Sequence, residues 1–335
     1  MTEAIRNELF AEGVEAAKAK AERRRKFAIK EARDLGVAPE FYDTVSDWSL
    51  GQVERCPYLF RVGKELNIGP IATDPNRSYG KAVHGAFEVL AKGGDEEAAT
   101  KAFANIWNGY KGLNFEGKQH DFDDLKAMGP KSVTVLAREL DGSEIIPESV
   151  EHWFDHAPIT NPITGDTLAD FKFAGRCDLA RTKAGDPGAV IEDLKTTGRK
   201  TSEKMRVPTV ALNGQMDIYA WLAQNDSLLG EYDLGKYVGR IEVNKAKSVL
   251  AVRFPVREVT KEDIARLYYR VRDAIMRILT YRAQEEAGVP IEQAWPRNSS
   301  ACDGKYGMCD LAPFCFPHLF PEVNLAETFG QKTFD

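Results

Sequence analysis

The chain has 335 residues, of which 43% are hydrophobic and 29% charged, with a formal net charge of −6 at pH 7. These values are typical of a globular protein of one large domain or two, and no apolar run approaches the ~18 residues that span a bilayer. The negative charge excludes binding to nucleic acid through a generally basic surface, but it allows a local basic groove. The acid-rich N-terminus lacks the apolar core of a signal peptide, so we expect a cytoplasmic protein without membrane partners.

The N-terminal half is predicted to be helical. A charged helix over residues 1–36 is either a docking arm or a solvated helix, and we expect the second; residues 1–45 are expected to form a separate N-terminal segment. A second helix begins at a Ser46/Asp47 cap and is interrupted by Pro57, directly after Cys56. Further helices are predicted over residues 79–91, 96–110 and 121–140.

The second half alternates between apolar stretches and turn signals, a pattern that predicts strands. Strands are expected in ESVEHWFDHAPI, LADFKFAGRCDLARTK, GAVIEDLKTT, YVGRIEVNK and SVLAVRFPVR. One helix covers VPTVALNGQMDIYAWLAQ, and a long helix capped by Thr260 runs to about Glu286. This order predicts a mixed α/β fold, in which helices wrap a mixed central sheet and a loop-rich tail follows.

The stretch VIEDLKTT ends an apolar strand with an acid and a lysine two residues apart. Asp193 and Lys195 share one face because strand side chains alternate, and Glu192 is expected to face the other side as an exposed or packing acid. Asp178 closes the preceding strand, and the turn KAGDPG brings it beside Asp193. This pattern alone fits either a salt bridge at a strand end or a Mg²⁺ or Mn²⁺ site with a lysine that orients water or phosphate.

Four short motifs in this order resemble those of the PD-(D/E)XK nucleases, specifically the RecB-like exonuclease branch. They are GKAVHGAFE, GRCDLA, VIEDLKT and GQMDIYAW. The resemblance covers roughly residues 46–225, and the cysteines extend it to about 316. It implies a restriction-endonuclease-like fold with a nuclease core over residues 46–300. The implied activity is metal-dependent exonuclease cleavage of DNA, in which a metal-activated water hydrolyses the phosphodiester bond and leaves 5′-phosphate ends.

The resemblance also implies roles for single residues. His84 and Asp178 would be metal ligands, Asp193 would bridge or complete the site, and the backbone carbonyl of Leu194 would join them. Lys195 would be the catalytic lysine. Many relatives have Glu-x-Lys where this chain has Asp-x-Lys, a variation that the family tolerates. A histidine ligand suits Mn²⁺ better than Mg²⁺.

DNA is the implied partner, through single- or double-stranded ends. Gln215 and Tyr219, one helical turn apart, would contact the DNA strand. Arg199 and Lys200 lie in GRKTSEKMR, just after the acid–lysine strand, and form either a phosphate-contacting patch or a solvated loop. No phosphate-binding G-x-x-x-x-G-K-[ST] motif occurs, so a helicase or annealing protein would be a separate chain.

The five cysteines fall into two groups. Cys177 lies in a predicted strand and suits a buried core position. The other four lack the two tight pairs of a zinc site, but RecB-like nucleases of the AddB and CRISPR-associated types place one cysteine before the core and three after it. The resemblance therefore implies a 4Fe–4S cluster that fastens the tail, residues 301–335, to the N-terminal helix, with zinc as the alternative. Its four ligands would be Cys56, Cys302, Cys309 and Cys315.

A second interpretation of the whole chain is a non-catalytic DNA-binding or scaffolding subunit of a recombination complex. The complete set of two acids and a lysine favours the enzyme. The sequence leaves open whether DNA recombination, repair, or phage or CRISPR DNA processing is the pathway.

Overall fold

The computed structural model describes residues 2–35, 43–70, 74–113, 115, 120–197, 214–244, 249–304 and 307–331. The chain forms two compact units. The first comprises Met1–Ala72 and Tyr269–Asp335, and the second comprises Thr73–Tyr268. The expected boundaries near residues 45 and 300 stay a prediction.

The first unit begins with helices. Its N-terminal elements are α1 (Thr2–Leu35), β1 (Asp43–Val45), α2 (Asp47–Arg55), α3 (Pro57–Phe60), a π-helical turn (Arg61–Glu65) and β2 (Ile68–Pro70). As predicted, the Ser46 side chain caps α2. The helix ends at Arg55. The next residue, Cys56, precedes Pro57, which disfavours the helical conformation, and Cys56 is extended. Phe10 of α1 packs edge-on against Phe314 at 5.5 Å, so the start of α1 is packed, whereas we expected a solvated helix.

The second unit opens with three helices, α4 (Pro75–Ala91), α5 (Glu96–Asn108) and α6 (Phe122–Leu140). Each begins directly after an aspartate whose side chain accepts hydrogen bonds from backbone N–H groups of the first turn, an arrangement that stabilises helix starts. Their apolar faces form one core with the sheet that follows. Buried members of this core include Tyr79, Phe87, Phe103, Trp107, Leu136, Leu179, Leu194 and Ile241.

The remaining elements of this unit build a mixed sheet and a hairpin. They are β3 (Ser143–Ile145), β4 (Ala157–Thr160), β5 (Thr167–Phe173), β6 (Leu179–Lys183), β7 (Val190–Thr197), α7 (Gly214–Gln224), β8 (Tyr237–Asn244), β9 (Leu250–Arg253) and β10 (Arg257–Glu258). The sheet order is β10-β8-β7-β6-β3, with β9 beside β8, and only β7 and β8 run parallel among these described strands. The strand expected over residues 148–159 begins only at Ala157: Pro147–Ser149 forms a 3₁₀ turn, and residues 150–156 are irregular apart from an isolated bridge at Trp153.

The two faces of β7 have different neighbours. Leu194 belongs to the core shared with α4, α5 and α6. Further along the same face, α4 approaches closely: a Cβ on Gly80 would lie 3.1 Å from Thr196 Oγ1. Because side chains alternate along a strand, Asp193 and Lys195 lie on the opposite face, as predicted.

Glu192, between the predicted site residues, is buried in an ionic network. It is 1% exposed and accepts hydrogen bonds from the Nε atoms of Arg181, at 2.6 Å, and Arg253. Arg181, itself fully buried, also donates to the Glu139 carboxylate, and Arg253 donates to Asp186 with both terminal nitrogens. Of the two expected forms, exposed or packing, Glu192 takes the packing one, as an ion-paired acid.

The C-terminal part contains one long helix and several short elements. They are α8 (Lys261–Glu286), α9 (Ile291–Ala294), β11 (Asp303–Gly304), β12 (Gly307–Met308), α10 (Ala312–Cys315), α11 (Leu325–Thr328) and β13 (Phe329–Gln331). As predicted, Thr260 precedes α8 and its hydroxyl accepts a hydrogen bond from the Asp263 backbone N–H. Within the first unit, β13 pairs with β2. In the part of the chain that is described, no helix is both long and apolar enough to cross a membrane.

Candidate active site

Three side chains from separate elements of the second unit converge on one point. They are His84 of α4, Glu151 of the β3–β4 connection and Asp178 at the start of β6. One ligand atom from each lies within 4.8 Å of the other two. His84 Nδ1 is 3.2 Å from Asp178 Oδ1 and 3.9 Å from Glu151 Oε1. An imidazole and two carboxylates offer the nitrogen and oxygen donors that Mn²⁺ and Mg²⁺ accept.

Asp178 is fixed by the neighbouring strand. In the register of β6 and β7, Leu179 opposes Glu192, so Asp178, one residue earlier, comes opposite Asp193. The backbone N–H of Leu194 donates a 2.5 Å hydrogen bond to Asp178 Oδ2. That bond leaves Asp178 Oδ1 directed at His84. The expected role of the Leu194 carbonyl as a metal ligand stays a prediction.

Asp193 and Lys195 form the ion pair that alternation along β7 predicts. Lys195 Nζ donates to Asp193 Oδ1 at 2.6 Å. The Asp193 side chain is 1% exposed and that of Lys195 is 36% exposed, so the lysine reaches solvent while the acid does not. The second oxygen of Asp193, Oδ2, is buried and has no hydrogen-bond partner among the residues that the structure describes. A buried acceptor without a partner destabilises the folded protein unless a cation or a hydrogen-bond donor lies next to it.

The parallel strand β8 adds charge to the same face. Arg240 is the register partner of Asp193, and Glu242 is the partner of Lys195. Arg240 Nε lies 3.2 Å from Glu242 Oε1. The face therefore carries alternating acids and bases across two strands, with Asp193 between the cations Lys195 and Arg240.

The carboxylates of this site differ in their proton affinity. Burial raises the pKa of Asp178, but His84, Lys195 and the Leu194 N–H outweigh it, and the net pKa is lowered. Burial and the charge of Asp178 raise the pKa of Asp193 despite its pairing with Lys195. Burial lowers the pKa of His84, but Asp178 and Glu151 together raise it to about 9. A divalent cation would relieve the repulsion between these carboxylates.

Gln215 and Tyr219 lie together on α7, one turn apart as predicted. Gln215 Nε2 donates to Tyr219 Oη at 2.7 Å. Tyr219 is 9% exposed, and burial together with the charges of Asp193 and Asp178 raises its pKa. The tyrosine therefore borders the acidic site as a neutral group, and its contact with DNA stays a prediction. Arg199 and Lys200 lie outside the described residues.

Glu151 was not anticipated from the sequence. It lies 27 positions before Asp178 in an irregular segment, at a left-handed φ of 53°, and Arg176 Nε holds its Oε2 at 3.0 Å. No spacing rule points to it. Glu88, which follows His84 in the motif of α4, instead forms a surface pair with Lys92 at 2.6 Å.

The four remaining cysteines meet within the first unit. All of them line one pocket, together with two arginines and several apolar residues. Burial raises the pKa of Cys315 to about 12, Arg297 opposes the rise, and the other three cysteines add to it. The thiols therefore interact electrostatically, although more than 240 residues separate the first from the second along the chain. The pocket-lining cysteines are Cys56, Cys302, Cys309 and Cys315.

Comparison with known proteins identifies one family. A family profile described as the PD-(D/E)XK nuclease superfamily matches residues 44–316. No curated protein matches the chain. Among solved structures, the crystal structure of SSO0001 is similar at 17% identity over 75% of this chain and 84% of its own, with a TM-score of 0.31, a value too low to support an argument.

Proposed function

This chain belongs to the PD-(D/E)XK nuclease superfamily, and we propose that it is a metal-dependent DNA exonuclease of the RecB-like branch. Members of the superfamily are generally nucleases that use divalent metals, so membership supports a metal-dependent nuclease that acts on DNA. The exonuclease activity and the assignment to the RecB-like branch go beyond what membership supports and are proposed. The observation that carries it is the convergence of His84, Glu151 and Asp178 beside the Asp193–Lys195 pair.

The donor set fits a hard divalent cation. His84, Asp178 and Glu151 would hold it, and Asp193 would complete the site through Oδ2, which is buried and has no hydrogen-bond partner in the described part of the chain. When bound, such a cation lowers the pKa of water and neutralises charge on a phosphate.

The protein's own side chains account for the remaining chemistry. Asp193 holds Lys195 Nζ at 2.6 Å, while over a third of the lysine side chain stays exposed. Lys195 is thereby oriented to hydrogen-bond the attacking water or a phosphate oxygen. The Leu194 N–H fixes one oxygen of Asp178, so the rotation of that carboxylate is set before a ligand arrives. Preorganised charge of this kind is the main source of rate in phosphoryl transfer.

A 4Fe–4S cluster is the second cofactor of the proposal. Its support is the single pocket lined by Cys56, Cys302, Cys309 and Cys315. Four thiolates around one zinc at ~2.3 Å would lie only ~3.8 Å apart. Among the described residues, the one group of three candidate ligands within 4.8 Å of one another is the histidine–carboxylate group, so no three cysteine sulfurs are that close. A cubane binds its thiolates through separate iron atoms and so places them farther apart than one zinc ion does, and zinc stays the alternative.

DNA contacts and partners belong to the same proposal. Gln215 and Tyr219 would line the path of the DNA strand beside the site, and Arg199 and Lys200 would contact its phosphates. Three further parts of the proposal rest on the sequence resemblance alone. They are a separate helicase or annealing protein, a role in recombination, repair, or phage or CRISPR DNA processing, and cleavage that leaves 5′-phosphate ends.

The test is cleavage of end-labelled DNA by protein purified without oxygen, with Mn²⁺ or Mg²⁺. Linear single and double strands are compared with covalently closed circles, which offer no end. We expect linear DNA to shorten and circles to survive. Asp193→Ala is expected to abolish cleavage, whereas Asp170→Ala, an exposed acid on β5, serves as the matched control. Cleavage of circles would refute the exonuclease, and full activity of Asp193→Ala would refute the assigned site.

The scaffolding alternative makes a different prediction in the same assay. A non-catalytic subunit would bind DNA and retain its cluster, but it would cleave no substrate with either metal. Among the described residues, Oδ2 of Asp193 has no hydrogen-bond partner, and this supports a cation site over the scaffolding alternative, because burial of an unpaired carboxylate oxygen is costly.

A further inference from the structure

Trp153, close to the candidate site, exposes most of its ring. Its side chain is 65% exposed, whereas tryptophans are on average among the more buried residues. The guanidinium of Arg176 lies over the ring, 5.5 Å from its centroid. One part of the indole is therefore backed by a cation, and much of the remainder is open to solvent.

The backbone around this pair is firmly held. Trp153 and Arg176 form an antiparallel β-bridge. On either side of the bridge, the Phe154 N–H donates to the Gly175 carbonyl at 3.1 Å, and the Cys177 N–H donates to the His152 carbonyl at 3.1 Å. The buried side chain of Phe154 anchors the same segment. Hydrogen bonds therefore fix the backbone that carries the exposed ring, and this backbone loses little conformational entropy when a ligand stacks on the ring.

The pair is connected to the candidate metal ligands at two points. Arg176 Nε is 3.0 Å from Glu151 Oε2, and the other oxygen of Glu151 faces His84. Arg176 also precedes Asp178 by two residues, a separation that extended backbone spans in at most about 7 Å. Trp153, the β-bridge partner of Arg176, is thus carried by the same short stretches of backbone as the candidate ligands Glu151 and Asp178.

We propose that Trp153, backed by Arg176, is a stacking platform for an unpaired DNA base next to the scissile phosphate. The proposal rests on the proposed nuclease function and names its substrate: single-stranded DNA, or a duplex end whose terminal bases are unpaired. A base inside a duplex is already stacked on both faces and cannot reach the indole without melting. Stacking on an aromatic ring is tolerant of sequence, as an exonuclease that moves along a strand requires. It also supplies affinity that a chain of net charge −6 lacks in general electrostatics.

Binding is tested on the Lys195→Ala background, which keeps the ligand set and removes turnover. The probe is a fluorescent oligodeoxythymidylate, followed by anisotropy. Because one stacked base contributes about 1–3 kcal/mol, Trp153→Ala should weaken binding about 5- to 150-fold, and Trp153→Phe should retain most of it. Trp48→Ala is the matched control, because Trp48 is 51% exposed and lies under Lys64 at 5.7 Å. It should bind like the parent.

A double-mutant cycle separates stacking from a general structural effect. An abasic residue is moved through the oligonucleotide position by position. At one position, loss of the base should weaken binding to the parent but not to Trp153→Ala, because the two changes remove the same contact. If Trp153→Ala binds like the parent, or the abasic effect is equal in both proteins at every position, the platform is refuted.

Failure of the platform and failure of the nuclease give different results. If the wild-type protein cleaves DNA while Trp153→Ala binds and cleaves like it, the nuclease stands and the platform falls. If the wild-type protein neither binds nor cleaves any DNA with either metal, the nuclease itself falls, and the platform with it. Equal affinity of the Lys195→Ala protein for single-stranded DNA and for blunt-ended duplexes would contradict the proposed preference for unpaired bases.

Discussion

Replacement of Glu192 by Gln should destabilise the second unit strongly, although Glu192 is not assigned to the chemistry. The carboxylate is 1% exposed and accepts from the Nε atoms of Arg181 and Arg253. Loss of one partner of a buried ion pair costs ~3–5 kcal/mol, because the other charge stays buried. Arg181 keeps Glu139, and Arg253 keeps Asp186, so we expect the lower end of this range, ~3 kcal/mol.

The matched control is Glu88→Gln. Glu88 pairs with Lys92 at 2.6 Å, the same distance as Glu192 to Arg181, but on the helix surface. Surface pairs of this spacing contribute about 0.3–0.5 kcal/mol. Urea unfolding followed by circular dichroism, with fluorescence as a second probe of two-state behaviour, measures both variants. If Glu192→Gln lowers the free energy of unfolding by less than about 1 kcal/mol, or if the two variants lower it equally, the argument is refuted. That argument is that burial, rather than the distance between the charges, sets how much an ion pair contributes to stability.

Three further predictions concern packing, pH and the cluster. Gly129→Ala should cost ~1–3 kcal/mol of unfolding free energy in the same urea assay, because its Cβ would overlap the ring of Phe103 in a filled core. Asp263→Asn should destabilise the protein at neutral pH, and the difference from wild type should shrink as pH falls below about 3.8, because burial raises the pKa of Asp263 but hydrogen bonds from Thr260 and the charges of Arg257 and Arg266 outweigh it and hold the pKa below that value. Cys315→Ser should remove broad visible absorption from anaerobically purified protein, together with bound iron.

Each of these three has a control within the chain. Among the described residues, no atom lies within 4 Å of a Cβ added at Gly112, so Gly112→Ala should leave stability nearly unchanged. For the pH series, the sign follows from a lowered native pKa: the stabilisation is present above the unfolded pKa and is lost on acidification. A difference that grows on acidification would contradict it. Cys177→Ser should keep both colour and iron, because Cys177 lies in the other unit and outside the cysteine pocket.

Local sequence rules predicted the strand that carries the site. Alternation along β7 is enough to put Asp193 and Lys195 on one face, and the short turn before it brings Asp178 opposite Asp193. The caps at Ser46 and Thr260 and the break at Pro57 were likewise predictable, because each depends on adjacent residues. Membership of the PD-(D/E)XK superfamily, expected from four motifs, is confirmed, whereas the RecB-like branch stays a prediction.

Features that depend on distant partners were not predictable from the sequence. The burial of Glu192 depends on Arg253, 61 residues later, and neither residue signals the other. Glu151 joins the site from an irregular segment, where a left-handed backbone and Arg176 position it. The spacing of the four cysteines did not indicate that they line one pocket, because their separations fit no compact metal motif, and their role as cluster ligands stays a prediction.

The measurement that tests the account most directly is the metal-dependent cleavage of linear DNA by the wild-type protein and by Lys195→Ala, each with its DNA affinity determined in parallel. Lys195→Ala removes one partner of the buried Asp193 and leaves Arg240 as the other nearby cation, so circular dichroism of the variant is recorded alongside to verify its fold. The account predicts that wild type shortens the DNA with Mn²⁺ or Mg²⁺, and that Lys195→Ala binds with similar affinity but does not cleave. Cleavage by Lys195→Ala at the wild-type rate, or DNA binding without cleavage by the wild type under either metal, would contradict it.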